Sequence, residues 1–305
     1  MTTHSRMKAL RGLCLAALLL AGAPAVQALE ILVAARENSP ALQRFLVGLQ
    51  AARPADRVRL ATTDQLPAEA ATLPPDLRLI LIGPQLLDWR QRSVDGPPTL
   101  VMQVNRVEAR QILGRRQPQH ITLLWSDPPP ARQLNLIRLL LPQARHIGVL
   151  YSNDSAFLVQ ELRQATPEGD LQINAHFWPN TRDPRVLSRL LDQSDVLLGL
   201  DDSQLYNPHT IKTLLLSSYG RRQALIGPTA AFVHAGSLVS SYSDQQDWLA
   251  TLGTLLDGNP ADWPHEHYPT HFKVMGNTRV ALSLGIPMPD PHQLEQGLQR
   301  LEATP

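Results

Sequence analysis

The chain has 305 residues, of which 43% are hydrophobic and 18% charged, and its formal net charge is +1. This length and apolar content are enough for one large domain or two ordinary ones, and the low net charge excludes an intrinsically disordered chain. Residues 1–28 hold three basic and no acidic residues, so the rest of the chain carries a charge of −2. The chain after residue 28 has no excess of basic residues with which to bind phosphates, which excludes nucleic-acid binding as the main function.

The N-terminal segment has the pattern of a secretory signal peptide, which we place at residues 1–28. A basic stretch up to Gly12 precedes the apolar run Leu13–Ala21, and Val26-Gln27-Ala28 has the small residues of a cleavage site. The apolar run is shorter than the roughly 20 residues that cross a membrane, which favours cleavage over an anchor. The only cysteine is Cys14, so the exported chain would have no disulfide and no thiolate metal site. We therefore expect a periplasmic protein.

Short apolar runs alternate with longer amphipathic segments in the rest of the chain. We predict strands at residues 30–35, 77–82, 99–104, 121–125, 146–151, 171–177, 196–200 and 224–226. We predict helices from Pro40 (with Ser39 as N-cap), at 131–141, from Ala156, at 183–192, and from Asn207 or Pro208. This alternation indicates parallel βαβ units, and the continuous apolar strands indicate sheets that are covered on both faces.

The number of units is too large for one sheet, so we predict an α/β fold of two doubly wound parallel-sheet lobes joined by a hinge. The proline-rich stretch Ser126–Pro130 is the first candidate crossing between the lobes, and Ser237–Asp244 is the second. The first lobe would comprise residues 29–126 plus 245–305, and the second lobe residues 127–244. Ligands bind beyond the carboxyl ends of strands in such sheets, and here those ends would converge on one interlobe cleft.

The sequence lacks the motifs of several enzyme classes. There is no G-x-S-x-G elbow after residue 28, and neither the G-x-G-x-x-G nor the G-x-x-x-x-G-K-[ST] phosphate loop occurs. Three histidines lie within His265–His271, but Pro269 breaks the H-E-x-x-H spacing, and solvated histidines in an extended loop are the favoured interpretation. We therefore expect a protein that is not an enzyme, with no catalytic residue, cofactor or metal.

Polar residues follow most of the predicted strands. Hydroxyls and helix N–H groups suit a carboxylate, and an Asp suits an ammonium group, so the convergence of these loops favours a small zwitterionic or aromatic ligand. Helix N-capping is the alternative for each loop taken singly. Trp125 and Tyr242 would offer an aromatic wall, with core burial the favoured interpretation for Trp125. The candidate ligand-binding residues are Asn38, Ser39, Gly83, Ser126, Ser152, Asn153, Asp154, Ser155, Asp201, Thr229, Tyr242 and Asp244.

From about Thr122 to Asp290 the chain resembles the ABC-transporter substrate-binding proteins of the tryptophan/tyrosine-binding type. The matching stretches are LNLIRLLLPQARHIGVLYSNDS, DDSQLYNPHTIKTLLLSSYGRRQALIGPTAAFVHAGSLVSSYSD and NTRVALSLGIPMPD. In the first lobe, residues 35–39 (ARENS) replace the glycine-rich hinge of the family. The resemblance therefore does not carry over the ligand, and it nominates only Ser152–Ser155, Asp201, Thr229 and Ser241–Asp244.

This resemblance implies the type I periplasmic binding protein fold, a clamshell that closes on a small molecule and delivers it to a membrane ABC permease. We expect a monomer or a weak dimer. The alternative is a periplasmic protein-interaction or sensing module with the same clamshell, linked to a receptor or sensor kinase instead of a permease. The different first lobe motivates that alternative.

Overall fold

The computed structural model describes residues 28–166 and 171–303 and contains two six-stranded sheets. The predicted signal peptide lies outside the described residues, apart from Ala28. Within the described ranges, no helix has both the length and the apolar character needed to cross a membrane.

The strands and helices alternate along most of the chain. The strands are β1 Glu30–Ala35, β2 Arg57–Thr62, β3 Arg78–Ile82, β4 Thr99–Val104, β5 Ile121–Trp125, β6 His146–Tyr151, β7 Gln172–Phe177, β8 Val196–Leu198, β9 Ala224–Ile226, β10 Val239–Tyr242, β11 Glu266–His267 and β12 Lys273–Gly276. The helices are α1 Pro40–Ala52, α2 Gln85–Gln91, α3 Arg106–Leu113, α4 Pro130–Leu140, α5 Ala156–Gln164, α6 Pro184–Asp192, α7 Ile211–Tyr219, α8 Ala230–Ala235, α9 Gln245–Asp257, α10 Thr278–Leu284 and α11 Pro291–Glu302.

The first sheet has the strand order β11-β5-β4-β3-β1-β2, and its strand pairs are parallel. Helices α1 and α9 bury Leu49 and Leu252 against one face of this sheet. Helices α2 and α3 bury Leu87 and Leu113 against the other face. Coverage on both faces explains why the interior strands β1, β3, β4 and β5 are mostly apolar and lack a regular alternation with polar residues.

The second sheet has the order β12-β10-β9-β8-β6-β7, and β12 is antiparallel to β10. Its core takes in residues from the flanking helices, together with Val274 of β12 and Leu294 and Leu298 of α11. Val107 of α3 also belongs to this core, although α3 covers the first sheet. An apolar contact therefore joins the two lobes.

The predicted fold class, α/β with two doubly wound lobes, is confirmed. The predicted strands 30–35, 99–104 and 146–151 coincide with β1, β4 and β6. The helix predicted from Asn207 or Pro208 begins at Ile211 instead, because the Asn207 side chain accepts from the backbone of His209 and Thr210 and holds residues 207–210 in a turn.

The chain crosses between the two sheets at residues 126–129, 243–244 and 268–272 in the part that the structure describes. The crossing predicted within Ser237–Asp244 is limited to residues 243–244, because residues 239–242 form strand β10 of the second sheet. Residues 273–302 also accompany the second sheet, because α11 packs on α4 and β12 and buries its apolar face there. This differs from the predicted grouping of 245–305 with the first lobe.

Candidate functional site

The carboxyl ends of strands from both sheets meet between the two lobes. Asn105 follows β4 of the first sheet and hydrogen-bonds the side chain of Asp201, which lies three residues beyond β8 of the second sheet. Gln111 of α3 donates from Nε2 to Oδ2 of Asp154, in the loop after β6, at 2.7 Å. These contacts join the two lobes at the ends of the strands, where the parallel topology predicts the interlobe cleft.

Helix α3 of the first lobe and the region of α5 in the second lobe make several side-chain contacts between the lobes. Arg106 pairs with Glu161 of α5, and the guanidinium carbon of Arg110 lies 4.3 Å from the centre of the Phe157 ring. Together with Gln111 and Asp154, we call these contacts the α3–α5 seam. The seam combines an ion pair, a cation–π contact and a hydrogen bond, so it favours the closed arrangement of the lobes.

Arg106 also binds Asp127, which lies in the first crossing between the lobes (residues 126–129, the hinge). Its Nε donates to Oδ2 of Asp127 at 2.6 Å, and its backbone N–H donates to Oδ1 of the same carboxylate at 3.1 Å. Burial opposes the positive charge of Arg106, but the carboxylates of Asp127 and Glu161 outweigh burial and raise its pKa. Burial also raises the pKa of Glu161, against the attraction of Arg106. The guanidinium is thus shared by one acid in the hinge and one in the second lobe.

A cavity of about 30 Å³ lies between the hinge and the strand ends of the second sheet, and we call it the interlobe cavity. This volume holds about two water molecules, so a ligand of amino-acid size would have to widen the cavity by moving the lobes apart. Most of the lining is apolar and a few polar groups converge on it. The lining residues are Arg106, Asp127, Pro128, Pro130, Gln133, Leu158, Leu162, Leu198, Gly199, Leu200, Asp201 and Pro228.

The polar groups of the interlobe cavity are held in place. Asp127 is only 4% exposed and accepts both hydrogen bonds from Arg106. Gln133 of α4 is also buried; its Nε2 donates to the carbonyl of Gly227 at 3.2 Å, and its Oε1 accepts from the Ser241 hydroxyl at 3.1 Å. Fixed polar groups in an apolar pocket select a ligand by its charge and hydrogen-bonding pattern.

Among the residues that line the interlobe cavity, Asp201 has a strongly raised pKa. Burial, followed by the nearby carboxylates of Asp127 and Glu108, raises its pKa from 3.8 to about 7, and the hydrogen bond with Asn105 opposes this shift. A cationic group next to Asp201 would remove most of the electrostatic cost of its ionisation. The cavity therefore suits a ligand that carries an ammonium group.

Asp202, the next residue, has a different environment. It is 1% exposed, and its Oδ2 accepts from the hydroxyls of Ser152 at 2.6 Å and Ser155 at 2.5 Å. Its Oδ1 accepts from the backbone N–H of Gln204 at 2.9 Å. Strands β6 and β8 are neighbours in the sheet, and these hydrogen bonds tie together the loops that follow them. Asp202 and the two serines thus fix the backbone that carries Asp201.

Strand β4 has an irregular end next to the cleft. Its pairing register with β5 shifts between Val101 and Val104, and Gln103 has a φ of +53° and an exposed side chain. A non-glycine residue in this conformation costs on the order of 1–3 kcal/mol, and such strain is concentrated at ligand-binding sites. The bulge immediately precedes Asn105 and Arg106, both of which contact the second lobe.

Among the residues predicted from the sequence, Asp201 lines the interlobe cavity and Asp154 joins the α3–α5 seam. Thr229 adjoins the lining residue Pro228, and Asn153 is exposed in the loop after β6. Trp125 is 5% exposed and belongs to the core of the first lobe, as the favoured interpretation had it.

The other predicted residues do not line the interlobe cavity. Ser39 caps α1 by accepting from the N–H of Leu42, and Asn38 accepts from the Gln43 side chain. Asp244 caps α9 and pairs with Lys273. Gly83 is buried with a φ of +93°, a conformation that favours glycine, and its N–H donates to Met102. Ser126 is exposed and Tyr242 is partly buried at the end of β10.

The residues of the site that were missing from the sequence prediction include Asn105, Arg106, Asp127 and Gln133. A usable signal existed for the first two, because Asn105 and Glu108 form a capping box directly after the predicted strand 99–104. Gln133 had no such signal, because its role depends on its contacts with Gly227 and Ser241, which are distant in the sequence.

The histidine-rich segment 265–271 does not bring three metal-ligating side chains together in this structure. Within residues 28–166 and 171–303, no group of three or more His, Cys, Asp or Glu side chains could hold a metal ion. Burial lowers the pKa of His267 in strand β11. The segment instead contains β11 and the crossing to the second sheet.

No protein-family model matches this chain, and no curated protein matches it in sequence. Several solved structures are similar to it. One is the ligand-free, open structure of a substrate-binding protein with adhesive properties from Clostridium difficile (TM-score 0.66, 14% identity, 86% of this chain and 96% of that chain). Two others are an ABC domain in complex with L-Trp from Streptococcus pneumonia (TM-score 0.56, 19% identity, 88% and 98% covered) and a conserved domain protein from Vibrio cholerae (TM-score 0.57, 17% identity, 88% and 98% covered). At these identities the likeness shows the two-lobed fold.

Proposed function

We propose that this protein is a periplasmic solute-binding component of an ABC import system, which closes on a small amino-acid-like or aromatic ligand carrying an ammonium group. The observation that carries this proposal is the interlobe cavity, where Asp201 lies among apolar side chains between the two lobes. The signal-peptide pattern supports the compartment. The resemblance of residues 122–290 to ABC substrate-binding proteins supports delivery to a permease.

The chemistry of the cavity supports the ligand class. Asp127 is already paired with Arg106, whereas Asp201 has the neutral amide of Asn105 as its hydrogen-bond partner from the first lobe. Asp201 therefore lacks a positively charged partner from the first lobe, and the ammonium group of a ligand would supply one. Leu158, Leu162 and Pro228 offer apolar contacts for the remainder of the ligand.

The two-lobed arrangement supports a binding and release cycle. A ligand in the interlobe cavity touches the Arg106 side of the first lobe and the Asp201 loop of the second, so it binds the closed arrangement better than an open one. Such differential affinity shifts the population towards the closed state. A permease could then distinguish loaded from empty protein by its shape.

Ligand-dependent thermal stabilisation tests this proposal. The panel comprises the proteinogenic amino acids and small aromatic amines, applied to the wild type, to Asp201→Asn and to the control Asp95→Asn. Asp95 is exposed in the loop between α2 and β4, at the opposite end of the sheet from the cleft. A ligand at about 100 times its Kd stabilises the folded state by about 2.7 kcal/mol, which corresponds to a Tm increase of about 5–10 °C at about 2–4 °C per kcal/mol.

We expect at least one compound with an ammonium group to raise the Tm of the wild type and of Asp95→Asn. Its Kd should be at least tenfold weaker for Asp201→Asn, because the variant lacks the charge that pairs with the ammonium group. Equal affinity for the wild type and Asp201→Asn would refute the assigned role of Asp201. No stabilisation by any compound would instead favour a protein-interaction module with the same fold.

A further inference from the structure

A second cavity, of about 220 Å³, lies along α3 and reaches the α3–α5 seam. We call it the α3 cavity. Its lining includes apolar side chains of the first lobe (Leu113, Leu123 and Trp125) and Phe157 of the second lobe. Arg106 lines both cavities, with its partner Asp127 in the interlobe cavity and its partner Glu161 in the α3 cavity. The α3 cavity is therefore a separate space that also spans both lobes.

The α3 cavity contains more basic than acidic side chains. Arg110, Arg115 and Arg116 line it, and within the described ranges none of the three lies at ion-pair distance from a carboxylate. The acids in the lining are Glu161, which Arg106 already pairs, and Glu266. Three arginines against one uncompensated acid favour an anionic ligand.

The aromatic side chains of the lining restrict the kind of anion. The Arg110 guanidinium lies over the Phe157 ring, 4.3 Å from its centre, and Trp125 adds a second aromatic side chain to the same cavity. Guanidinium groups and aromatic rings stack on flat apolar groups, while the guanidinium N–H groups bind carboxylate oxygens in pairs. A small aromatic carboxylate satisfies both features, whereas inorganic phosphate would leave the aromatic wall unused.

We propose that the α3 cavity is a second small-molecule site that binds an organic anion, a carboxylate on a small aromatic group, and that its occupation favours the closed arrangement of the lobes. The favourable effect on closure follows from the lining, because such a ligand contacts α3 of the first lobe and Phe157 of the second. This inference does not depend on the ligand of the interlobe cavity.

Binding of three aromatic monocarboxylates, benzoate, phenylacetate and 3-phenylpropionate, tests the proposal by isothermal titration of the full chain. Inorganic phosphate is titrated in parallel. The test variant is R110Q/R115Q. The matched control is R57Q/R59Q, which removes the same charge from β2, at the opposite edge of the first sheet from β5. Asp201→Asn reports on binding to the interlobe cavity.

We expect at least one of the three carboxylates to bind the wild type, R57Q/R59Q and Asp201→Asn with similar Kd, and R110Q/R115Q at least tenfold more weakly. Phosphate should bind at least tenfold more weakly than that carboxylate. The proposal is overturned if none of the three binds the wild type, or if R57Q/R59Q loses affinity as R110Q/R115Q does. It is also overturned if Asp201→Asn alone loses affinity, or if phosphate binds equally well.

Discussion

Asp201 joins the two lobes through Asn105, and its carboxyl group shares the cleft with Asp127 and Glu108. With the lobes arranged as in this structure, burial and these carboxylates raise its pKa to about 7. Opening the cleft would return the carboxyl group to water and its pKa towards 3.8. Closure without a ligand is therefore coupled to the uptake of a proton.

The sign of this coupling gives a prediction for pH. The closed arrangement is favoured most below about pH 4, where Asp201 is protonated in both forms. This advantage is lost as the pH rises towards about 7, because the open form is then ionised and closure requires the uptake of a proton. The effect is limited to about tenfold per pH unit in the open-to-closed ratio, since one proton is involved. Small-angle scattering of the ligand-free protein between pH 4.5 and 8 measures this ratio through the radius of gyration.

Asp201→Asn provides the control for this measurement. An amide does not titrate, so the variant should lose most of the pH dependence between pH 4.5 and 7. If the variant follows the same curve as the wild type, another group controls closure.

The buried hydrogen bond of Ser155 is expected to contribute to the stability of the protein. Its side chain is fully buried and donates to Asp202, so Ser155→Ala removes a hydrogen bond to a charged group. The free energy of unfolding should fall by about 2 kcal/mol, measured by urea denaturation. Asn153→Ala, in the exposed part of the same loop, should change it by less than about 0.5 kcal/mol. Equal stability of the wild type and Ser155→Ala would contradict the network.

At the scale of secondary-structure elements, α3 and α5 connect the lobes through the seam. Arg110→Ala combined with Gln111→Ala removes the contacts with Phe157 and Asp154 without changing a residue that lines the interlobe cavity. The ligand-free protein should then populate more open conformations. Dipolar spectroscopy between spin labels at Val47→Cys on α1 and Leu216→Cys on α7, both exposed, measures the distance between the lobes.

We expect a longer and broader distance distribution for this double variant than for the labelled wild-type background. Arg57→Ala on β2 is the matched control, and its distribution should coincide with the wild-type one. An unchanged distribution for Arg110→Ala/Gln111→Ala would show that the seam does not contribute to closure.

The elements that the sequence predicted well have strong local signals. Strand β1 is a continuous apolar run, and α1 follows it with Ser39 as N-cap and Pro40 at the first helical position. Strand β2 was missed because it lies at the sheet edge and reads RVRLAT, with two charged residues in six. Helix α3 was missed because it is short and half polar, although its capping box was present.

The residues of the site were harder to predict than the elements. The choice of loops that follow strands correctly located the edge of each sheet that faces the cleft, because parallel strands end at the same edge. They did not show whether a side chain faces the cleft: Ser39 and Asp244 cap helices, and Ser152 and Ser155 donate to Asp202. These outcomes depend on contacts between distant segments, which a single sequence does not reveal.

At the scale of the whole molecule, three chain crossings connect two lobes that each have their own core. The return of β12 and α11 to the second sheet adds a third connection beside the two predicted from the sequence. Arg132 of α4 pairs with Glu302 of α11 and lies over the Phe272 ring, so the C-terminal helix is tied to the start of the second lobe and to the third crossing. Any relative movement of the lobes would therefore have to change the backbone conformation at these three crossings.

If the two lobes close on a small ligand, native mass spectrometry of the protein purified without denaturation will detect it. We expect a small-molecule mass on the folded wild type and on Asp95→Asn, which is lost on unfolding and absent from Asp201→Asn. A bare mass for the folded wild type, or an adduct that Asp201→Asn retains equally, would contradict this expectation.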